Sequence, residues 1–226
     1  MLSDDAYMAR RLQLLGEWDA ALAALDPEAE PELRAEIAVD RWFFQVEGHE
    51  EAEKAVAALD PASPTAHLLT ARLAYSRLLF RRDPRADDRA VAEAGYRAAV
   101  ESGDEKMRGW AEYHWAVLLD NIDEDPAGAL PRYETALEIA KKTGDGYFES
   151  YIIRHLAPHK EPAERIAMLR RSLHLRAALG ARPQTLAAQA LLADNLPESD
   201  PERAELMQVF RPGAEELRIG WLLSED

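Results

Sequence analysis

The chain has no cysteine in its 226 residues. That removes disulfides, thiolate zinc sites and cysteine nucleophiles, and it fits a cytoplasmic protein. Long apolar runs are missing as well. None approaches the ~18 residues needed to cross a bilayer, so no membrane contact is expected. The opening stretch MLSDDAYMARR has no apolar segment behind a basic one and is not read as a signal peptide. Strand signals are absent: there is no alternating run of β-branched residues and no Asn-Gly or Asp-Gly hairpin between such runs. Basic excess is absent too. A net charge of −15 disfavours nucleic acid, whose phosphates are neutralised by Lys and Arg, and anionic membrane surfaces. A neutral or basic partner is electrostatically easier. No glycine-rich phosphate loop, G-x-S-x-G elbow or nucleotide fingerprint occurs, so no cofactor is expected.

What is present is helix-forming sequence. Hydrophobic residues make up 47% and charged residues 31%, a balance that supports a sizeable core. Arginine and alanine are abundant, which reads as the coding bias of a GC-rich bacterial genome. Apolar residues recur at spacings of three and four. The 13 prolines act as punctuation, because proline is tolerated in a first helical turn, where its missing N–H had no partner. Ser63, Asp83 and Asp125 stand before such prolines as candidate caps, and Ser199 to Glu202 has the capping-box spacing. Helices are expected over 3–14, 18–25, 31–46, 49–59, 64–80, 87–101, 105–120, 127–142, 146–157, 162–178, 183–195, 200–210 and 213–223, the last two being separate or one helix kinked at Pro212. Pro131 lies five residues after Pro126, so the helix there either starts near Leu130 or has an irregular first turn.

Internal similarity decides the class. ALAALDP at 21–27 recurs as AVAALDP at 55–61, an offset of 34. YRAAV at 96–100 recurs as YETAL at 133–137, an offset of 37, and ALEIAKKTG at 136–144 recurs loosely as SLHLRAALG at 172–180, an offset of 36. In the first unit Ala9, Leu12, Gly16, Trp18, Ala21 and Leu22 form a pattern of small residue, apolar residue, turn glycine, aromatic and Ala-Leu. Trp115, Ala116, Leu119, Ala129, Leu130, Tyr133, Ala136 and Leu137 repeat it in the fourth. These residues resemble the tetratricopeptide signature, in which small residues let paired helices approach and large ones fill the groove between pairs. The resemblance implies a single all-α domain: a right-handed α-solenoid of antiparallel helix pairs with five to six repeats, at about 3–27, 31–61, 64–103, 105–144, 146–180 and 183–226.

Several clusters carry possible chemistry. His155 and His159 are four apart, a spacing that offers a metal two ligands on one helix face. Leu156 stands where the metalloprotease motif needs glutamate, and Pro158 disfavours helix at Ala157, so the preferred reading is a repeat face with a histidine near its end. Asp123, Asp125, Gly128 and Glu134 approach a calcium loop. Ala127 lacks a ligand oxygen there, and a turn into a helix is preferred. The run 77–89 holds Arg77, Arg81, Arg82, Arg85 and Arg89 interleaved with Asp83, Asp87 and Asp88; it reads as a solvated, internally paired loop. Arg165, Arg170, Arg171 and Arg176 read the same way. Trp42, Phe43 and Phe44 in DRWFFQ exceed what one neighbour covers, so at least one is expected to face another repeat or a partner.

The solenoid likeness implies a concave groove that binds an extended peptide or partner helix. Its inner face is expected at Trp110, Tyr113, Val117 and Asp120, with Asn121 adjacent, and at Tyr151 and Arg154, with His155 one residue on. Aromatic residues with Arg are common recognition anchors. The leading expectation is a non-enzymatic scaffold for a protein or peptide, with no metal. A second is a small-molecule sensor or enzyme with a pocket around Tyr113, His114, Tyr151, Arg154 and His155. A third is a homodimer built through the DRWFFQ aromatics.

Overall fold

A computed structural model describes residues 3–26, 28–102 and 104–223; the expected unit ends at Pro27, Gly103 and 224–226 lie outside these. Among the described residues every regular element is helical: α1 Asp4–Leu15, α2 Trp18–Ala23, α3 Pro31–Gln45, α4 His49–Ala57, α5 Pro64–Phe80, α6 Asp88–Val100, α7 Glu105–Asn121, α8 Pro126–Thr143, α9 Gly146–Leu156, a 3-10 turn at Ala157–His159, α10 Pro162–Leu179, α11 Arg182–Asn195, α12 Pro201–Glu216 and α13 Gly220–Leu223. No helix among them is long and apolar enough to cross a membrane.

Local chemistry accounts for most boundaries. Ser3, Ser63, Asp104, Asp125, Asp145 and Asp200 each accept a backbone N–H at a helix start, filling donors the first turn leaves open. Asp200 therefore caps α12 in place of the expected Ser199. Asp83 caps nothing: it lies in the loop with φ 45°, and α6 begins only at Asp88. Gly16, Gly144 and Gly180 close α1, α8 and α10 in the left-handed region, which glycine enters without steric penalty.

Two prolines behave differently from expectation. Helix α8 starts at Pro126 and carries Pro131 inside. Position 131 is early enough that proline forfeits only one ladder bond, to the first turn. Helix α12 runs straight through Pro212 to Glu216, and the break falls at 217–219. A Cβ on Gly213 would stand 2.7 Å from Leu186 Cδ2, so the glycine lets α12 lie close on α11.

The helices pack in adjacent pairs, α1 with α2 through α11 with α12. Odd-numbered helices also touch in succession, α3 with α5, α5 with α7 and α7 with α9. The row then meets its own beginning, since α1 touches α11 and α3 touches α13. Gln45 Nε2 donates to the Leu217 carbonyl at 3.1 Å across 172 positions of sequence. Gly16 sits so close to this seam that a Cβ would lie 2.8 Å from Leu217 Cδ1. One apolar cluster accordingly joins Ala6, Trp18, Trp42 and Leu69 to Leu186, Phe210, Leu217 and Ile219. Trp42 and Phe44 are buried, and Phe43 packs on Phe80 and Trp221 at 5.5 and 6.1 Å. The DRWFFQ aromatics are thus covered from within the chain, by the C-terminal turn.

The arginine-rich stretch 77–89 is paired, as expected, but not all of it is solvated. Arg77 and Asp88 are buried. Arg77 Nε reaches both Asp88 oxygens at 3.0 Å, and its Nη1 meets Glu53 at 2.7 Å. The Arg85 backbone N–H supplies a further bond to Asp88 at 2.7 Å. Partners lower the Asp88 pKa in spite of burial, the Arg77 hydrogen bond leading them. Arg165 donates to the carbonyls of Pro158 and Lys160 at 3.1 and 3.2 Å, closing the 3-10 turn. Removing one partner of a buried pair strands the other charge, so Asp88→Ala is expected to cost about 3 kcal/mol. Urea denaturation measures it, and a loss below about 1 kcal/mol, the range of exposed pairs, would refute the assignment.

Candidate functional site

Closure of the helix row surrounds a space. A cavity of about 350 Å³ lies at the C-terminal ends of α3, α5, α7 and α9, with α10, α11 and α13 completing its wall. A second, of about 710 Å³, lies toward the N-terminal ends of the same helices. Both are lined by Asp40, Arg72, His114 and Tyr151, which therefore form a waist between them. The waist is held electrostatically: Asp40 accepts from Arg72 at 2.7 Å and from Gln13 at 2.6 Å.

Helical spacing explains how the smaller cavity is furnished. Tyr113, Val117 and Asn121 succeed one another at four-residue intervals on α7, so all three point to one side. On α9, Arg154 and His155 follow Tyr151 by three and four positions and so share its side of the helix. These residues, with His114, line a single cavity. Tyr113 is the hub of an aromatic box. Its ring lies 4.9 Å from His114, 5.8 Å from Tyr151 and 5.5 Å from His155. Asn121 Nδ2 donates to the Tyr75 hydroxyl at 2.8 Å.

Two expected groove residues sit elsewhere. Trp110 lines the larger cavity, packed on Phe148 at 4.4 Å, because it lies a turn nearer the start of α7. Asp120 turns away to meet the Tyr133 hydroxyl and His159 Nε2, both at 3.3 Å. His159 is thereby drawn off, and the Tyr133 ring stands between the histidines, 5.9 Å from His155 and 6.4 Å from His159. The two histidines share no ligand position. The calcium-like acids diverge as well: Asp123 binds Arg89 and Asp125 caps α8. Among the described residues no three His, Asp or Glu side chains are arranged to hold a metal ion.

The sequence reading missed Arg176. Placed among surface arginines, it is in fact buried and lines the smaller cavity. Its guanidinium lies over the Tyr151 ring at 4.7 Å. It donates to Ser150 Oγ at 3.2 Å, the Gln184 carbonyl at 2.9 Å and the Ser150 carbonyl at 3.4 Å. A signal existed: in α10, Arg176 lies four positions from Ser172, and the two share one buried face on which Ser172 also binds Ser150, at 2.7 Å. Arg72, Asp40, Phe80, Gln184 and Trp221 were missed too.

No protein-family model matches this chain, and comparison with curated proteins and with solved structures finds no match either.

The charged side chains of the site are mostly cationic. Burial pushes the Tyr75 hydroxyl up to about 12 and raises those of Tyr113 and Tyr151, so all three stay protonated. Burial, then the charge on Arg176's neighbour Arg154, lowers the Arg176 pKa to about 10. His114 and His155 are held well below 6.5, first by burial and then by Arg72 and Arg154 respectively. Arg154 Nη1 lies 3.1 Å from His155 Nε2. A guanidinium only donates, so Nε2 accepts, which is the neutral ring.

An unfolded histidine takes a proton near pH 6.5, whereas these two in the folded chain do not. Lowering pH through that value favours the unfolded state, and raising it further adds nothing. Each histidine contributes up to about 1.4 kcal/mol per pH unit. His114→Gln with His155→Gln should flatten the fall in Tm between neutral and mildly acidic pH. Equal slopes in variant and wild type would show that neither ring is held neutral.

Proposed function

We propose that the chain is a non-catalytic binding protein of the helical-repeat kind, akin to tetratricopeptide proteins, and that it encloses a small ligand in the cavity between α3, α5, α7, α9, α11 and α13. The observation that supports this is the closure of the row. An extended peptide needs an open trough along the inner helices, and here Trp221 and Leu217 stand across it, against Phe43 and Gln45. The cavity volume of about 350 Å³ falls at the small end of ligand sites, and its lining of aromatic walls with a few convergent polar groups is typical of them. The earlier expectation of peptide recognition narrows to recognition of something small enough to be surrounded.

The reading is tested by filling the space. Ala187 lines the cavity, and Ala187→Phe would project a ring into it. A neutral, polarity-sensitive dye such as Nile red is expected to bind the wild-type chain saturably and to lose at least about tenfold in affinity in the variant, the worth of one well-placed aromatic ring's exclusion. The Tm should be kept, because the ring enters empty space. Unchanged dye titration in a folded variant would place the binding elsewhere.

A further inference from the structure

Arginines withdrawn from solvent around the cavity and the 77–89 stretch are partnered in two ways. Arg77 has Asp88 and Glu53, and Arg72 has Asp40. Arg154 and Arg176 have no carboxylate within ion-pairing distance among the described residues. Both line the same cavity. The charged residues of its wall are three arginines against one aspartate, and that aspartate is already committed to Arg72 and Gln13. The cavity therefore carries two uncompensated positive charges inside a chain whose net charge is −15.

Their donors are also unfilled. A guanidinium has five N–H groups. The hydrogen bonds of Arg176 use three. Arg154 Nε is buried with no partner. Leaving such groups dry and unmatched is expensive, so each calls for an acceptor the protein itself does not provide. Much of the remaining lining is apolar or aromatic: Phe43, Phe44, Leu79, Phe80 and Trp221. Dipoles at the C-terminal ends of α3, α5, α7 and α9 soften the positive field by fractions of a charge, but they offer no acceptor to Arg154 Nε or Arg176.

We propose that the cavity binds an organic anion with an apolar body, its carboxylate or phosphate head held by Arg154 and Arg176 and its body against Phe43, Phe80 and Trp221. This rests on the cavity being a ligand site at all, as proposed above. The head is anionic because only an acceptor with charge answers two guanidiniums at once. The body is apolar because Phe43, Phe44, Leu79 and Phe80 make up much of the remaining lining, and short because the space is small.

Calorimetric titration of the full chain with octanoate, octyl phosphate, 1-octanol and octylamine separates the outcomes. Both anions, or one, should bind at least about tenfold tighter than octanol, the worth of a charge-assisted hydrogen bond, and octylamine should not bind. Whichever anion is tighter identifies the head. Arg154→Gln should abolish the preference for anion over alcohol. Arg176→Gln should do likewise if it folds, as judged by circular dichroism; Arg154, being only half-buried, is the safer variant. Octanol binding as well as the anions overturns the anionic class, and a preference that survives Arg154→Gln overturns the assignment of the head to Arg154; either outcome leaves the cavity reading standing. Binding of none of the four compounds overturns both.

Discussion

The seam between the chain's two ends governs the rest of the molecule. Helix α3 carries three aromatics in a row, and no arrangement of one neighbouring helix buries them all. Trp42 goes into the local core, and Phe44 stacks on Trp18 at 5.5 Å. Phe43 is left facing along the row, and the C-terminal turn covers it with Trp221. The Gln45 side chain then satisfies the Leu217 carbonyl that a short, broken helix end would otherwise leave open. Leu217 in turn fills the space that only a glycine at position 16 can leave free. Each of these contacts joins residues far apart in sequence, so their loop-closure cost is met late, when the local helix pairs already exist. Helix pairing makes the wall; the seam makes it an enclosure.

Enclosure changes the electrostatics of everything inside. Coulomb interactions near 4 Å strengthen several-fold when the effective dielectric constant falls from that of water toward ~20. The chain treats its arginines in two ways. Arg77 with Asp88, and Arg72 with Asp40, are neutralised in place, and they fix helix to helix. Arg154 and Arg176 are kept positive and only partly hydrogen-bonded. Folding alone gives no reason for this asymmetry: Ser150, Gln184 and Tyr151 hold the Arg176 guanidinium by its neutral surroundings, an arrangement weaker than the ion pairs used elsewhere in the same chain. His114 and His155 follow suit, since burial first, and then the nearby guanidiniums, leave a second proton on either ring unsupported.

How much of this could be seen in the residues alone depended on distance along the chain. The helix ends were legible because their causes are local: Ser63 caps three residues ahead, and proline or glycine acts at its own position. The periods of 34 to 37 were legible because each unit repeats the same packing problem. The cluster of Tyr113, His114, Tyr151, Arg154 and His155 was legible because the repeat register places neighbouring inner helices side by side. Asp120 was misjudged because register fixes which face a residue occupies but not which partner its side chain chooses, and His159 with Tyr133 outbid the cavity.

Closure was not legible, and neither were the residues that depend on it. Trp221 and Leu217 read as the end of an apolar helix, and nothing in a three-or-four-residue rhythm tells an exposed end from one that meets α3. Arg176 failed for a related reason. On α10 it follows Arg165, Arg170 and Arg171, each of which finds a carbonyl or carboxylate at the surface, so composition suggests a common role. What separates it is that Ser150, on α9, presents both a hydroxyl and a carbonyl toward α10. A serine buried at 0% exposure among apolar residues is therefore the more telling sign: a small polar side chain kept in a core marks the place where a larger one is being held.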